Sequence, residues 1–372
     1  MLDLFVYGTL QSPALMQAVA GGAIPKPIAA TLPEYSLRTL RDYVVPCLVS
    51  DPSGCVEGVV FRGLTPDQIA RLDLYEGAWG YTLAPTRVDA ATPLRDVYVY
   101  LPPAQGVAPD GPWSFADWQS EHEKPAVDTA IELFSHDPLP DPELLRQTWH
   151  MMESRAWAKH RAVAAPQTRR YAPDPGDVAI HKLRPPVGNF FRMQSMNVSH
   201  STFQGTRTDP LRREVFVGVD AVILLPYDPV RDKVLLVEQV RMGPVIRRDP
   251  NPWMLEAVAG MVDARETPEA AGCREATEEA GVTLQHLEPA GSYYPSPGGT
   301  TDYFYTYVGL CDLPMTETYL GGLSDEDEDL RLHPMGFDEA MALTTSGEIA
   351  TGPLFHLLYW LAWHRDRLGQ FL

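Results

Sequence analysis

Residues 260–282 have the sequence GMVDARETPEAAGCREATEEAGV, the most informative stretch of the chain. It contains the signals of a single helix. Thr267 is a capping residue, Pro268 fits the first helical position, and Glu269 favours the positive end of the helix dipole. Gly281 supplies a left-handed stop at the other end. We therefore predict a helix that begins after Thr267 and ends before Gly281.

Three glutamates lie on one side of this predicted helix. Glu275, Glu278 and Glu279 are spaced i, i+3 and i+4, so they fall within an arc of roughly 100°. The opposite side carries small residues that we expect to pack on a sheet: Ala270, Cys273, Ala276, Thr277 and Ala280. Like charges on one stripe destabilise a helix, and a hard cation such as Mg²⁺ relieves this because it prefers oxygen ligands and also binds phosphates. From the helix alone, a solvated acidic face without a ligand is an equally good interpretation.

The wider spacing resembles the Nudix box. That motif is a glycine, five residues, a glutamate, seven residues, Arg-Glu, an aliphatic residue, any residue, Glu-Glu, any residue, a glycine and an aliphatic residue. The matching positions are Gly260, Glu266, Arg274, Glu275, Ala276, Glu278, Glu279, Gly281 and Val282. The resemblance implies a pyrophosphohydrolase with an α/β/α sandwich fold, and it favours the metal site over the solvated face.

Family roles carry over to the matching positions. The metal ligands that the resemblance implies are Glu275, Glu278, Glu279, Glu328 and the backbone carbonyl of Ala259. The structural positions that it implies are Gly260, Glu266, Arg274 and Gly281. Glu266 and Arg274 are expected to form an ion pair that holds the loop against the helix. The implied cofactor is Mg²⁺, with Mn²⁺ as the alternative, because a cation bound to a pyrophosphate supplies Lewis-acid activation and neutralises charge.

Segments outside the box resemble bacterial ADP-ribose pyrophosphatases. They are GNFFRM at 188–193, REVF at 213–216, LPYDPVRDKVLLVEQVR at 225–241, MLEAVAGMV at 254–262, SPGGTTD at 296–302 and LSDEDEDLRLH at 323–333. In that subfamily a proline follows the box at a fixed distance, and Pro297 stands there. The resemblance implies hydrolysis of ADP-ribose to AMP and ribose 5-phosphate. Other nucleoside diphosphate sugars, such as GDP-mannose, stay open as substrates.

The same resemblance assigns roles to residues beyond the helix. Arg241 is implied as a phosphate ligand, Glu326 as the general base on the attacking water, and Glu328 as an additional metal contact. A flexible acidic loop suits a base that is positioned only after the metal binds. The alternatives are a plain surface arginine at 241 and a solvated charge run at 325–329.

Composition limits the possible partners. The 372 residues are 45% hydrophobic and 21% charged, which is usual for globular proteins, and the length suits two domains. The formal net charge of −19 argues against a nucleic-acid partner, because such binding needs clustered lysines and arginines. An acidic protein with a phosphate-bearing substrate must neutralise charge locally, through arginines or bound cations.

The apolar pattern and the cysteines predict a cytoplasmic protein. The sequence has no apolar run of about 18 residues, so we expect no membrane partner. The first residues, MLDLFVYGTL, lack the basic segment of a secretory signal and predict a strand. The cysteines are widely spread, without a CxxC pair: Cys47, Cys55, Cys273 and Cys311. We predict small buried thiols, with a disulfide between Cys47 and Cys55 as the alternative.

Two motifs define the first part of the chain, FVYGTLQSP at 5–13 and RLDLYEGAWGY at 71–81. The turn that follows the first strand exposes backbone amides, which makes it a small anion nest. The two motifs resemble the γ-glutamylcyclotransferase-like fold, a mixed β-barrel. The resemblance implies that a γ-glutamyl substrate binds the turn formed by Tyr7, Gly8, Thr9 and Leu10. It implies Glu76 as the acid/base group, whereas a structural or regulatory role for this domain is the alternative.

The predicted organisation is two α+β domains. We assign 1–103 to the γ-glutamylcyclotransferase-like domain, 104–163 to a helical extension, 164–185 to a linker and 186–372 to the Nudix domain. The linker is inferred from its prolines, which resist both helix and central strand. Fusions of these two domains resemble proteins associated with bacterial tellurite resistance.

Three functions compete at this point. The first is a Mg²⁺-dependent ADP-ribose pyrophosphatase with an accessory domain, acting on a small nucleoside diphosphate sugar as a homodimer through its Nudix domain. The second is a γ-glutamyl cyclotransferase whose Nudix domain is secondary. The third is a protein that senses ADP-ribose with little turnover. The complete Nudix box favours the first, because a sensor has no need of three metal carboxylates and a base.

Overall fold

The computed structural model describes residues 1–41, 43–91, 94, 96–103, 108–162, 167–315, 318–323 and 328–369. The chain forms two compact units. The first comprises Met1–Phe190 and Asn197–Pro210, and the second comprises Phe191–Met196 and Leu211–Leu372. The sequence predicts a linker at 164–185 and an independently folding domain from 186 onward. These domain limits stay a prediction.

The first unit is a mixed sheet covered by helices. Its strands are β1 (Leu2–Val6), β2 (Ile28–Leu40), β3 (Pro46–Leu64), β4 (Thr82–Thr86), β5 (Asp89–Ala90), β6 (Val97–Leu101), β7 (Pro109–Pro112) and β8 (Val178–Leu183). Its helices are α1 (Pro13–Ala20), α2 (Pro66–Gly77), α3 (Phe115–Leu133) and α4 (Pro142–Arg161). Strand β8 lies within the segment predicted as a linker.

The sheet of the first unit runs in the order β4-β6-β1-β3-β2-β5, with β7 paired to β2. Strands β1 and β6 are parallel, whereas β1 and β3 are antiparallel. This order has two ends in the part of the chain that the structure describes, so the predicted barrel stays a prediction. The capping box that precedes α2 is formed as the sequence indicates, since Thr65 and Gln68 each accept a hydrogen bond from the other's backbone N–H.

Both faces of this sheet are buried, and β1 shows why. Leu4 and Val6 point into a core shared with α1 and α3, whereas Phe5 and Tyr7 point into a second core on the other face. Alternation with a period of two residues therefore builds two apolar layers from one short strand. Trp118 of α3 belongs to the first of these cores, so the predicted helical extension is part of the packing of the unit.

The second unit has a larger mixed sheet. Strand β9 (Arg192–His200), within which the division between the units falls, is followed by β10 (Leu211–Val217), β11 (Asp220–Asp228), β12 (Lys233–Val240), β13 (Trp253–Glu256), β14 (Val258–Met261), β15 (His286–Tyr293), β16 (Tyr303–Leu310), β17 (Tyr319–Gly321) and β18 (Leu330–Gly336). The helices are α5 (Met242–Arg247), α6 (Pro268–Glu278), α7 (Phe337–Ser346) and α8 (Gly352–Leu368). The strand order of this sheet is β15-β16-β11-β12-β18-β17, with β13 on β12 and β14 on β11. Strands β8, β9 and β10 lie outside both of these large sheets.

This second sheet is the centre of an α/β/α sandwich, as predicted. Along β11, Ile223 and Leu225 face a core closed by α7 and α8. Val222 and Leu224 face the core closed by α6. Gly272 lets α6 approach the sheet closely, because a β-carbon there would lie 3.3 Å from a methyl of Val222.

The prediction that the cysteines are buried free thiols is correct for two of the four. All four thiols are free, as predicted. Cys47 and Cys311 are buried, but Cys55 and Cys273 are exposed. Among the described residues, no helix is both long enough and apolar enough to cross a membrane.

Candidate functional site

Helix α6 has the ends that its sequence indicates. The side chain of Thr267 accepts a hydrogen bond from the N–H of Ala270 at 3.2 Å, and Pro268 is the first helical residue. Gly281 has φ +64°, the left-handed conformation that suits glycine. These local signals fix where the three glutamates fall along the helix.

The burial of α6 differs from the prediction. Glu279 and Glu275 are only 2% and 9% exposed. The residues predicted to pack on the sheet divide between the two environments, because Ala276 and Ala280 are buried whereas Ala270, Cys273 and Thr277 are exposed. The helix thus turns two of its carboxylates inward, which small neighbours at 271 and 272 permit. Glu278 stays about one-third exposed, at 35% for its side chain.

Strand β14 lines the carboxylates. The backbone N–H of Ala259 donates a hydrogen bond to Oε2 of Glu279 at 3.2 Å. A β-carbon on Gly260 would overlap the carboxylate of Glu275 in its present position, so glycine lets that carboxylate lie against the strand. The predicted backbone ligand and the predicted structural glycine therefore lie directly against the carboxylates of the helix.

Arg274 binds more carboxylates than the predicted ion pair requires. Its Nε and Nη2 donate to the two oxygens of Glu266, at 3.1 and 3.0 Å. Its Nη1 donates to Glu275 at 2.7 Å and to Glu278 at 3.0 Å. Nη2 also donates to the carbonyl of Met261 at 3.1 Å. One guanidinium therefore holds the loop, the strand and two of the three glutamates together.

The electrostatics of this cluster show an excess of negative charge. Burial, and next the charge of Glu275, raise the pKa of Glu279 to about 8. Burial also raises the pKa of Glu275, although Arg274 opposes this shift. The charge of Glu328 raises both pKa values further. For Arg274 itself, burial works against the charged form, but Glu266 and Glu275 outweigh it and raise its pKa.

The acidic loop begins at the end of this helix. The N–H of Gly322 donates to the carbonyl of Glu279 at 3.2 Å, and the hydroxyl of Tyr319 donates to the carbonyl of Ala280 at 2.9 Å. Oε2 of Glu328 accepts from the N–H of Leu323 at 3.3 Å. The described flanks of the loop are thus tied to α6.

Arg241 directly follows β12. Its Nε donates to Oε2 of Glu256 at 2.6 Å, and the side chains of the two residues are 41% and 19% exposed. The charge of Arg241 also lowers the pKa of Glu279, so the guanidinium lies near the carboxylate cluster.

The first unit contains a separate cluster of ionisable groups. The hydroxyl of Tyr7 donates to the carbonyl of Tyr100 at 3.0 Å. Burial, followed by Tyr81, Glu76 and Cys47, raises the pKa of Tyr7. Burial raises the pKa of Glu76 to about 7. A carboxyl that titrates near neutrality beside two phenols can exchange protons at physiological pH.

The turn after β1 packs tightly in this cluster. Thr9–Gln11 form a short 3₁₀ turn, and Nε2 of Gln11 donates to the carbonyl of Tyr7 at 2.9 Å. A β-carbon on Gly8 would lie 2.7 Å from Cγ of Pro46. The side chain of Leu10 is buried in the core, so only its backbone can serve the predicted role.

Comparison with known proteins agrees with these two sites. Residues 4–119 match the family described as Gamma-glutamyl cyclotransferase, AIG2-like, and residues 218–353 match the NUDIX domain. An ADP-ribose pyrophosphatase of Escherichia coli (strain K12) is 37% identical over 192 residues, which are 52% of this chain and 91% of that protein. The chain belongs to the Nudix family. The resemblance of the fusion to proteins of tellurite resistance stays a prediction.

Two further relatives align with the Nudix unit. An ADP-ribose pyrophosphatase of Haemophilus influenzae is 33% identical over 183 residues, covering 49% of this chain and 84% of that protein. A GDP-mannose pyrophosphatase of Yersinia pestis (strain Pestoides F) is 31% identical over 178 residues, covering 47% of this chain and 87% of that protein.

The donor set of the Nudix unit fits a divalent cation. It consists of carboxylate and carbonyl oxygens, which hard cations prefer, and it carries unbalanced buried negative charge. Among the described residues, no three His, Cys, Asp or Glu side chains already converge as a metal site. Arg274 engages both Glu275 and Glu278.

One predicted site residue is not among the described residues, and the structure shows further residues at the two sites. Glu326 lies outside the described residues. Sequence analysis missed Glu256 as the partner of Arg241, although it stands in the segment MLEAVAGMV that resembles the family. It also missed Tyr81, the last residue of the second N-terminal motif, and Cys47. No local pattern marked Cys47, which lies on β3, far in sequence from Tyr81.

Proposed function

We propose that the protein hydrolyses ADP-ribose to AMP and ribose 5-phosphate with a divalent cation, Mg²⁺ in the first place. The observation that carries the proposal is the buried carboxylate cluster of Glu275 and Glu279 against Ala259 and Gly260. ADP-ribose is favoured over GDP-mannose because the relatives named for ADP-ribose are the more similar, at 37% against 31% identity.

Each residue of the site has a role in this reaction. Glu275, Glu278, Glu279, Glu328 and the carbonyl of Ala259 would hold the cation, which when bound neutralises charge on the pyrophosphate and activates it as a Lewis acid. Arg241 binds a phosphate through its guanidinium. Glu326 takes the proton from the attacking water as the water oxygen bonds to phosphorus and the bridging P–O bond breaks. Product AMP and ribose 5-phosphate each leave with one phosphate.

A substrate panel tests this function. Purified full-length protein is incubated with ADP-ribose, GDP-mannose and other nucleoside diphosphate sugars, each with Mg²⁺ or Mn²⁺, and the released nucleotide and sugar phosphate are quantified. We expect the highest kcat/KM for ADP-ribose with Mg²⁺, and one AMP per ribose 5-phosphate. A higher kcat/KM for another nucleoside diphosphate sugar would identify that compound as the preferred substrate. No turnover with any compound of the panel would overturn the proposed function.

A second activity is supported by the cluster in the first unit. We infer a site for a γ-glutamyl compound in which the carboxyl of Glu76 is the acid/base group, beside Tyr7 and Tyr81. The observation behind it is the pKa of Glu76 near neutrality in a unit that matches the cyclotransferase family. An assay of γ-glutamyl amines tests it. Release of free amine that Glu76→Gln abolishes is expected, and no release from the wild-type protein would leave a structural or regulatory role.

We further propose a cytoplasmic homodimer that associates through the Nudix unit and binds neither nucleic acid nor membrane. The net charge of −19 supports the last two points, because phosphate backbones and anionic lipid surfaces repel an acidic protein. Sedimentation equilibrium of the 41.3 kDa chain measures the assembly. A mass equal to one chain over the micromolar range would overturn the dimer.

A further inference from the structure

Arg241 and Glu256 form an ion pair at the edge of the carboxylate cluster. Nε of the arginine donates to Oε2 of the glutamate at 2.6 Å. The backbone on either side is also fixed, since the N–H of Arg241 donates to the carbonyl of Pro252 at 3.0 Å. The pair therefore joins the end of β12 to β13, which are antiparallel neighbours with Val240 opposite Trp253.

Strand β13 leads directly to the site. Glu256 is its last residue, and Ala259, whose N–H binds Glu279, follows three positions later on β14. The glutamate therefore fixes Arg241 to the same segment of backbone that lines the carboxylates of α6. Any shift of one relative to the other must deform this short connection.

The geometry of the pair leaves the arginine free to bind an anion. Among the residues that the structure describes, Glu256 is the hydrogen-bond partner of the Arg241 side chain, and it engages Nε alone. The two terminal nitrogens, Nη1 and Nη2, remain available. A guanidinium uses such a pair of parallel donors to bind two oxygens of one phosphate.

Stability alone does not account for this pair. An arginine side chain that is 41% exposed is partly in solvent, where screening weakens the contribution of ion pairs to folding. A long side chain that is held at Nε, however, loses less rotamer freedom when it binds a ligand. The ion pair between Arg241 and Glu256 therefore contributes to ligand binding more than to folding.

We propose that Glu256 is a positioning residue that holds Arg241 with Nη1 and Nη2 towards the pyrophosphate of the substrate. The proposal rests on the function proposed above, because it presumes that Arg241 binds a phosphate of ADP-ribose. Glu256 itself touches no substrate. Its contribution appears as substrate affinity, transmitted through the arginine.

The test is a double-mutant cycle in the full-length protein. KM and kcat for ADP-ribose are measured for wild type, Glu256→Ala, Arg241→Ala and the double variant. We expect Glu256→Ala to raise KM about tenfold, with kcat within about threefold, as for lost binding that ground state and transition state share. In the Arg241→Ala background the same change should have no further effect, since the residue it positions is gone.

Two more variants separate positioning from folding. Glu256→Gln keeps the shape and an acceptor oxygen, so it should recover most of the affinity, and it serves as the informative variant if Glu256→Ala does not fold. Glu238→Ala is the matched control, because Glu238 also pairs with an arginine on the sheet, Arg331, at 3.3 Å, and has a similar exposure of 23%. It should leave KM unchanged.

The outcomes distinguish the two proposals. An additive cycle, with Glu256→Ala raising KM equally in both backgrounds, would overturn the positioning role while hydrolysis by the wild type upholds the function. An unchanged KM in Glu256→Ala would do the same. A wild-type protein that hydrolyses no nucleoside diphosphate sugar would overturn the function, and with it the basis of this inference.

Discussion

Glu279 combines near-complete burial with negatively charged neighbours. It is 2% exposed, and its pKa is raised to about 8, chiefly by burial. Its carboxylate accepts a hydrogen bond from the N–H of Ala259. On the function proposed above, a divalent cation would stabilise the ionised form of this carboxylate.

We expect Glu279→Gln to lower turnover by about 100-fold or more while the fold is retained. The amide oxygen can still accept from Ala259, but it replaces an anionic ligand poorly. Turnover with ADP-ribose and circular dichroism measure the two effects. Glu269→Gln is the control on the same helix, because Glu269 contacts Tyr307 instead of the cluster. Turnover within twofold of wild type for Glu279→Gln would refute the metal assignment.

Glu76 makes the stability of the first unit depend on pH. Its pKa rises from an ordinary 4.5 to about 7 on folding, so the folded chain keeps a proton that the unfolded chain loses between these values. The free energy of unfolding therefore falls as pH rises from 4.5 to 7, by at most about 3 kcal/mol. Below pH 4.5 this contribution is fully present.

Glu76→Gln removes this titration. Urea unfolding at pH 5 and pH 8 should show a smaller loss of stability for the variant, and at pH 8 the variant should be the more stable protein. Equal pH dependence in the two proteins would mean that Glu76 titrates as it does in the unfolded chain. Asp67→Asn, at the start of the same helix, is the control for loss of a carboxylate.

At the scale of elements, the acidic loop between β17 and β18 is tied to the end of α6. Gly322 and Tyr319 bind the carbonyls of Glu279 and Ala280, and Glu328 closes onto Leu323. These contacts bring both ends of the loop to the carboxylate cluster.

Glu326→Gln should lower kcat by about 10²–10⁴-fold and leave KM and Mg²⁺ affinity nearly unchanged, because a base acts only as the water loses its proton. Glu328→Gln should instead raise the Mg²⁺ concentration that gives half-maximal turnover. Steady-state kinetics over a Mg²⁺ titration separate the two. If Glu328→Gln lowers kcat and Glu326→Gln changes the Mg²⁺ dependence, the two roles are reversed. If both variants have wild-type kinetics, another residue is the base.

Helix α6 shows what sequence predicts well and what it does not. Its caps at Thr267 and Gly281 are local, so they could be predicted from neighbouring residues. Its buried face could not, because the burial of Glu275 and Glu279 depends on β14 and on Arg274, which come from outside the helix. Apolarity alone placed Cys273 in the core, where it does not lie.

Contacts between segments that are distant in the sequence could not be predicted either. The partner of Arg241 is on another strand, and the groups around Tyr7 come from three parts of the first unit. The family motifs marked Glu76 and the turn, but neither Cys47 nor the pKa of Glu76 follows from a motif. Burial sets that pKa, and burial is a property of the folded chain.

For the whole molecule, the apolar cores divide with the two units. The cores beside α6, α7 and α8 draw their buried residues from positions 222 to 368. Those of the first unit draw theirs from positions 4 to 152. Each half thus has its own source of hydrophobic stabilisation, which favours independent folding.

We expect a chain of residues 186–372 to fold and to hydrolyse ADP-ribose with a kcat/KM within about threefold of the full protein. The measurement is a cooperative unfolding transition together with the AMP assay. A matched chain of residues 1–185, which lacks the segment Asn197–Pro210 of the first unit, should not hydrolyse ADP-ribose. Insolubility or inactivity of the longer fragment would mean that the first half completes its core or its dimer.

Arg274 gives the enzyme a resident counterion. Because this guanidinium already binds Glu266, Glu275 and Glu278, the catalytic helix is held in place before any metal is present. On the function proposed above, metal binding would exchange one positive group for another at the same carboxylates. Chelation with EDTA should accordingly halt turnover without lowering the melting temperature by more than a few degrees, and added Mg²⁺ should restore the original rate. We therefore expect the folded protein to release and rebind its metal repeatedly without unfolding.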